Sequence, residues 1–106
     1  MALQIEESER DGQYVIAVAG EVDLYTSPEL RNAVIKAVPK RVCNVVALDL
    51  SQVGYMDSSG VATLVEGLKL SHQKNVAFQL VAPSKPVMKV LQLARLDSVF
   101  KIVDRI

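Results

Sequence analysis

The segment Val45–Leu50 constrains the fold of this chain more than any other. It reads Val-Val-Ala-Leu-Asp-Leu, a short and nearly continuous apolar run with a β-branched start. Brevity argues against a helix, and the lack of polar alternation leaves no side to give to water. Such a run predicts a strand buried on both faces, as in the centre of a parallel sheet. A chain of 106 residues has room for one core around that strand and not for two, so residues 1–106 are read as one domain.

The flanking segments supply the rest of the sheet and its cover. Runs at Leu3–Glu9 and Tyr14–Gly20 flank Asp11-Gly12, a dipeptide suited to the positive φ angles of a tight hairpin, so the first two strands should be antiparallel. Tyr25-Thr26-Ser27-Pro28-Glu29 reads as a helix start. Thr26 or Ser27 can cap it, Pro28 fits the first turn, and Glu29 complements the dipole. Leu30, Ala33, Val34 and Ala37 share a face, and Lys36, Lys40 and Arg41 close the helix with the favourable charge. A second helix begins near Ser58, carries the stripe Val61, Leu64, Val65 and Leu68, and stops at Lys74-Asn75. Val76–Val81 is the next strand. Ser84 then caps a third helix reaching about Arg95, with Pro86 in its first turn and Val87, Val90, Leu91 and Ala94 facing inward; Phe100–Val103 is a last short strand. The order β-β-α-β-α-β-α-β defines an α/β domain. It predicts a mixed β-sheet with an opening hairpin, and right-handed crossovers that pack helices on one or both faces.

Composition excludes several functions. Lys plus Arg number 12 and Asp plus Glu number 12, which leaves no electrostatic footprint for nucleic acid or anionic lipid. No apolar run approaches the ~20 residues of a membrane span. The start Met1-Ala2-Leu3-Gln4-Ile5-Glu6-Glu7 has neither the basic patch nor the apolar stretch of a signal peptide. The single Cys43 excludes an internal disulfide and reads as a small buried hydrophobe. A cytoplasmic, reducing location fits these features.

Catalytic constellations are equally sparse. His72, the sole histidine, falls on the wet side of the second helix with no second ligand near it in sequence. No glycine-rich turn follows Gly20. Gly54 and Gly60 match a phosphate loop only in part, because Val61-Ala62 stand where Lys and Ser/Thr are required. Ser58 and Ser59 follow Met56 and Asp57 rather than the glycine pattern of a nucleophile elbow, and a hydrolase built on Ser58 would want for a base. The carboxylates Glu6-Glu7 read as a solvated strand edge. The expectation is a protein that is not an enzyme and takes no cofactor or metal.

The informative segment is Gly54-Tyr55-Met56-Asp57-Ser58-Ser59-Gly60-Val61. It joins a buried strand to a helix at the carboxyl end of the sheet, where partners usually dock. Asp57 or Ser58 can cap the helix, and capping alone is one sufficient reading. The other reading starts from an excess: three consecutive hydrogen-bonding side chains and a glycine, where a cap needs one. A helix N-terminus tolerates added phosphate, and a phosphoserine there changes the surface by ~1.5–2 negative charges.

Leu48-Asp49-Leu50-Ser51 followed by Tyr55-Met56-Asp57-Ser58-Ser59-Gly60 resembles the signature of STAS domains, and most closely that of bacterial anti-sigma factor antagonists. Gly20-Glu21-Val22-Asp23 with Tyr25-Thr26-Ser27-Pro28-Glu29-Leu30 resembles the same family's Gly-Glu-Leu-Asp segment and first helix. Leu93-Ala94-Arg95-Leu96-Asp97 and Phe100-Lys101-Ile102-Val103 are similar to its closing segment, so the resemblance spans the chain. It implies a partner-switching cycle. The unmodified antagonist binds a kinase-type anti-sigma factor, a GHKL-like serine kinase, which phosphorylates the serine after the Asp. That serine is Ser58 and not Ser59. A phosphoserine phosphatase restores binding. The resemblance further implies a partner-binding face of Asp23, Tyr25, Thr26, Ser27, Asp57, Ser58, Ser59 and Gly60. On that basis Asp23→Ala is expected to weaken kinase binding while leaving the melting curve nearly unchanged. The alternative implied by other relatives is an accessory subunit of a lipid-transport ATPase complex.

Overall fold

The computed structural model describes residues 3–40 and 44–106. The elements are β1 (Gln4–Arg10), β2 (Gln13–Val22), α1 (Ser27–Lys40), β3 (Val45–Met56), α2 (Ser58–Gln73), β4 (Ala77–Val81), α3 (Lys85–Leu93) and β5 (Lys101–Val103). They form a five-stranded sheet in the order β1-β2-β3-β4-β5. β1 runs antiparallel to β2, and the remaining neighbours are parallel. Asp11 and Gly12 make the hairpin turn with φ of 51° and 78°, the left-handed geometry that suits the twist of the paired strands. Cys43, and the Arg41 expected to close α1, lie outside the described residues.

β3 occupies the centre, as its apolar run requires. Val46, Leu48 and Leu50 point into one large cluster with Ile16 and Val18 of β2 and Leu80 of β4. Leu30 and Val34 of α1, Leu64 of α2, and Val87 and Leu91 of α3 close over the same cluster. The three helices therefore share one face. Each fully buried Leu, Ile or Val contributes about 1.5–3 kcal/mol of transfer free energy. Ala47 points the other way, where it is buried with Val15 and Val81. That second face is covered thinly, by Ala82, Val103 and Ile106 and by a side-chain hydrogen bond from Gln79 Nε2 to Gln13 Oε1 at 2.5 Å.

Four expectations change. β3 does not stop near Leu50 but runs 12 residues to Met56. Its pairing with β4 ends at Asp49↔Val81, while pairing with β2 continues to Val22↔Met56 through register shifts between Ala17/Ala19 and Gly20/Glu21. Bulges of this kind let one strand edge continue while the side-chain alternation breaks. Ser84 holds the N-cap position of α3 but makes no side-chain cap. Its hydroxyl instead donates to Val53 O at 2.5 Å and its amide to Leu50 O at 3.3 Å, occupying the edge that β4 has left. Ala94 is exposed and not inward, because α3 ends at Leu93 and Arg95 turns the chain at φ 59°. Thr26, with Ser27 one of the two expected caps of α1, turns its hydroxyl back toward Glu21 and Asp23. Asn75, with φ 58°, ends α2 as expected.

Candidate functional site

Parallel pairing brings the carboxyl ends of β2 and β3 together, with Val22 opposite Met56. The Asp57 amide donates to Val22 O at 3.1 Å, carrying the ladder one step past the strands. Two strand-to-helix junctions thus lie side by side.

In the β2–α1 junction Asp23 organises the turn. Its Oδ1 accepts from the amides of Tyr25 at 2.9 Å and Thr26 at 3.0 Å, and from the Thr26 hydroxyl at 3.2 Å. That hydroxyl donates more closely to Glu21 O, at 2.7 Å, and accepts from the Asp23 amide at 2.9 Å. The Asp23 carbonyl accepts from the Ser27 amide at 2.8 Å. The Thr26 amide, followed by those of Tyr25 and the Thr26 hydroxyl, holds the Asp23 carboxyl below its ordinary value against a smaller opposing effect of desolvation. Leu24 and Tyr25 are left projecting, 68% and 86% exposed.

In the β3–α2 junction Asp57 is the N-cap. Its Oδ1 accepts from the Ser59 amide at 2.9 Å, the Gly60 amide at 3.4 Å and the Ser59 hydroxyl at 2.5 Å. The Asp57 carbonyl takes the first helical amide, from Val61, at 3.1 Å. Ser58 is exposed, and its hydroxyl has no hydrogen-bond partner among the described residues. Gly60 lets α2 approach the strand ends. A Cβ there would lie 2.6 Å from Met56 Cγ and 2.8 Å from Val22 Cγ1.

The segments carrying all eight expected site residues come together, but the residues divide by role. Asp23 and Asp57 shape the turns, and Tyr25 and Ser58 face outward. Thr26 and Ser27 are buried at 4% and 8%, so they hold the loop and offer little side-chain surface. Gly60 is buried and acts through close packing. Asp23→Ala would remove three hydrogen bonds from the turn, so the expectation of an unchanged melting curve is corrected to a loss of stability. Leu24 and Tyr55 are not among the expected site residues, yet both are exposed, Tyr55 by 48% on β3 opposite Glu21. The available signal was a turn-favouring neighbour, Asp23 before one and Gly54 before the other. Among the described residues no group of three or more His, Cys, Asp and Glu could hold a metal ion, and no helix is long and apolar enough to cross a membrane.

These elements define a small α/β domain with a mixed five-stranded sheet, three helices on one face and an exposed serine at the start of α2. The model of the STAS domain family matches residues 3–106, and the chain belongs to that family. It is 31% identical over 104 residues to the anti-sigma F factor antagonist of Paenibacillus polymyxa, covering 98% of this chain and 89% of that one. It is 32% identical over 103 residues to the anti-sigma-B factor antagonist of Listeria monocytogenes, with 96% and 90% covered. A crystal structure of an anti-sigma factor antagonist from Mycobacterium paratuberculosis superposes with a TM-score of 0.87 at 25% identity, covering 98% of this chain and 87% of that one.

Proposed function

We propose that this domain is an anti-sigma factor antagonist whose binding to a kinase-type anti-sigma factor is switched by phosphorylation of Ser58. The observation that carries this reading is the exposed, unpartnered Ser58 hydroxyl at the first residue of α2. The names of the relatives and the intact Asp57-Ser58-Ser59-Gly60 sequence support it. Leu24, Tyr25 and Tyr55 add exposed apolar surface on the adjoining junction and strand end, with the tyrosine enrichment common in protein interfaces. The domain acts by binding and not by catalysis, in the cytoplasm. The kinase supplies the nucleotide and a separate phosphoserine phosphatase resets the switch.

Phosphate on Ser58 adds ~1.5–2 negative charges beside Asp57. At the start of a helix the free amides and the dipole accommodate that charge within the domain. A partner surface fitted to a neutral hydroxyl must accept a bulky anion next to a carboxylate. The test is incubation with the cognate serine kinase and a nucleoside triphosphate, followed by intact mass, peptide mapping and a binding assay of both forms. One phosphate on Ser58 and loss of binding are expected. A protein that binds equally well in both forms would refute the switch.

A further inference from the structure

We infer that Asp57 and Ser59 together decide which of two adjacent hydroxyls is open to modification, Asp57 as a positioning residue and Ser59 as the hydroxyl it withholds. This rests on the proposal that a kinase modifies this helix start, and adds to it the device that makes the modification selective.

The two serines differ in surroundings rather than in chemistry. Ser59 donates its hydroxyl to Asp57 Oδ1 at 2.5 Å, and the same oxygen accepts the Ser59 amide at 2.9 Å. Amide and hydroxyl of one residue are thereby fixed to one carboxylate oxygen, which sets the Ser59 side-chain rotamer. The Ser59 carbonyl is engaged as well, by the Thr63 hydroxyl at 3.2 Å, and the residue is half-buried. Ser58 is exposed and its hydroxyl is unengaged among the described residues. Asp57 thus needs one neighbour for its cap and takes Ser59, leaving Ser58 as the surplus hydroxyl of the motif.

Transfer requires the serine oxygen to attack the γ-phosphorus of the kinase-bound nucleoside triphosphate. An O–P bond forms, the P–O bond to the β-phosphate breaks, the nucleoside diphosphate leaves, and the hydroxyl proton passes to a base on the kinase. Ser58 can present its oxygen without breaking any bond within the domain. Ser59 must first give up a charge-assisted hydrogen bond, which lowers the population of its outward rotamer by roughly ten- to a hundredfold.

The experiment reads the partition of phosphate between Ser58 and Ser59 by peptide fragmentation after kinase treatment, in wild type, Asp57→Ala and Asp57→Asn. A ratio within one molecule is insensitive to how tightly each variant binds the kinase. Wild type should carry phosphate on Ser58. Asp57→Ala should raise the Ser59 share by about tenfold or more, the lower end of that range, whereas Asp57→Asn keeps an Oδ1 acceptor without the charge and should fall between Asp57→Ala and wild type. An unchanged partition in Asp57→Ala overturns the inference and leaves the switch standing; absence of phosphate on wild type overturns both. Side-chain Hα–Hβ couplings in the unmodified domain give a kinase-free test. Ser59 should show one rotamer in wild type and averaging in Asp57→Ala, with Ser58 averaged in both. Averaging of Ser59 in wild type, or a fixed Ser59 in Asp57→Ala, also overturns the inference.

Discussion

At the end of β2 and again at the end of β3 an aspartate bends the chain toward a helix, and each time its Oδ1 collects the amides two and three residues ahead. Each aspartate also takes a nearby hydroxyl, Thr26 in one junction and Ser59 in the other. The residue directly after each aspartate is exposed, Leu24 in the first and Ser58 in the second. One local scheme therefore displays apolar surface at one junction and an exposed hydroxyl at its neighbour. The lesson is that the aspartates set shape, while the residues they leave outside are the ones open to a partner. The second junction differs further in depending on a glycine, because α2 starts one residue after Asp57 and against Val22 and Met56, whereas α1 starts four residues after Asp23.

The largest effect should come from charge at the exposed position of the second junction. Phosphorylated Ser58 should bind the anti-sigma factor about 30- to several-thousand-fold more weakly, the equivalent of the ~2–5 kcal/mol that misplaced charge costs at a buried interface. Ser58→Asp, with one charge and less bulk, should fall part of the way, and Ser58→Ala should stay bound provided the hydroxyl is not itself a contact. Titration calorimetry of the four forms measures this, with amide NMR spectra of the free domain as the control. Spectral changes confined near residues 55–62 fit exclusion at the surface; changes across the sheet would require a conformational switch instead.

Next in size is Gly60→Ala. The new methyl meets Met56 Cγ at 2.6 Å and Val22 Cγ1 at 2.8 Å, and overpacking of this kind costs about 1–3 kcal/mol. Alanine's better helix propensity, about 1 kcal/mol in a helix interior, offsets part of it. Gly54→Ala is the control, since nothing lies within 4 Å of its added Cβ. Urea midpoints should fall for the first and hardly move for the second. If both were neutral, the contrast between a tight and a loose junction would be lost.

Much of this frame could be read from residues, and the exceptions share a physical origin. The Val45–Leu50 run, the Asp11-Gly12 turn and the helical stripes each carry a local period or a special φ, so they declared strand, hairpin and helix. The far half of β3 did not. Bulges replace the two-residue alternation there with Leu50, Val53 and Met56 at intervals of three, a spacing that signals no strand. Ser84 followed from the same omission, because its acceptor, Val53 O, belongs to the unseen extension. At the site, capping chemistry offered Asp57 or Ser58 as the cap, of which the structure takes Asp57, and it could not say which serine that aspartate would hold. That choice depends on side-chain rotamers and not on residue type.

Tyr25→Ala tests the apolar side of the comparison. The side chain is 86% exposed and the turn holds the residue by its amide, so truncation should leave the melting temperature unchanged. An interface anchor of this type costs upward of about 1 kcal/mol, so affinity for the anti-sigma factor should drop about fivefold or more. Undiminished affinity would remove the first junction from the binding face and confine that face to Ser58 and its neighbours.

The smallest effect is the pH response of the Asp23 turn. Asp23 has a carboxyl held below its ordinary value, first by the Thr26 amide and then by the Tyr25 amide and Thr26 hydroxyl, with desolvation opposing. A carboxyl whose folded value is depressed binds its proton more readily in the unfolded chain. Its contribution to stability is therefore complete above the unfolded value and is lost as the pH falls through the lower folded one. Asp23→Asn keeps an oxygen acceptor for the two amides but has no proton to bind at this position, so the Asp23 contribution drops out of its pH response in that window. Denaturant titrations from pH 6 down to pH 2 should show wild type losing stability below about pH 4 more steeply than Asp23→Asn, with parallel curves above. The difference should persist in added salt, because its leading causes are hydrogen bonds at contact distance rather than screened long-range charge. Parallel curves throughout would mean that the Asp23 turn opens before its carboxyl titrates. The first junction would then be the softer of the two, and the shape it gives Tyr25 would have to be imposed by the partner.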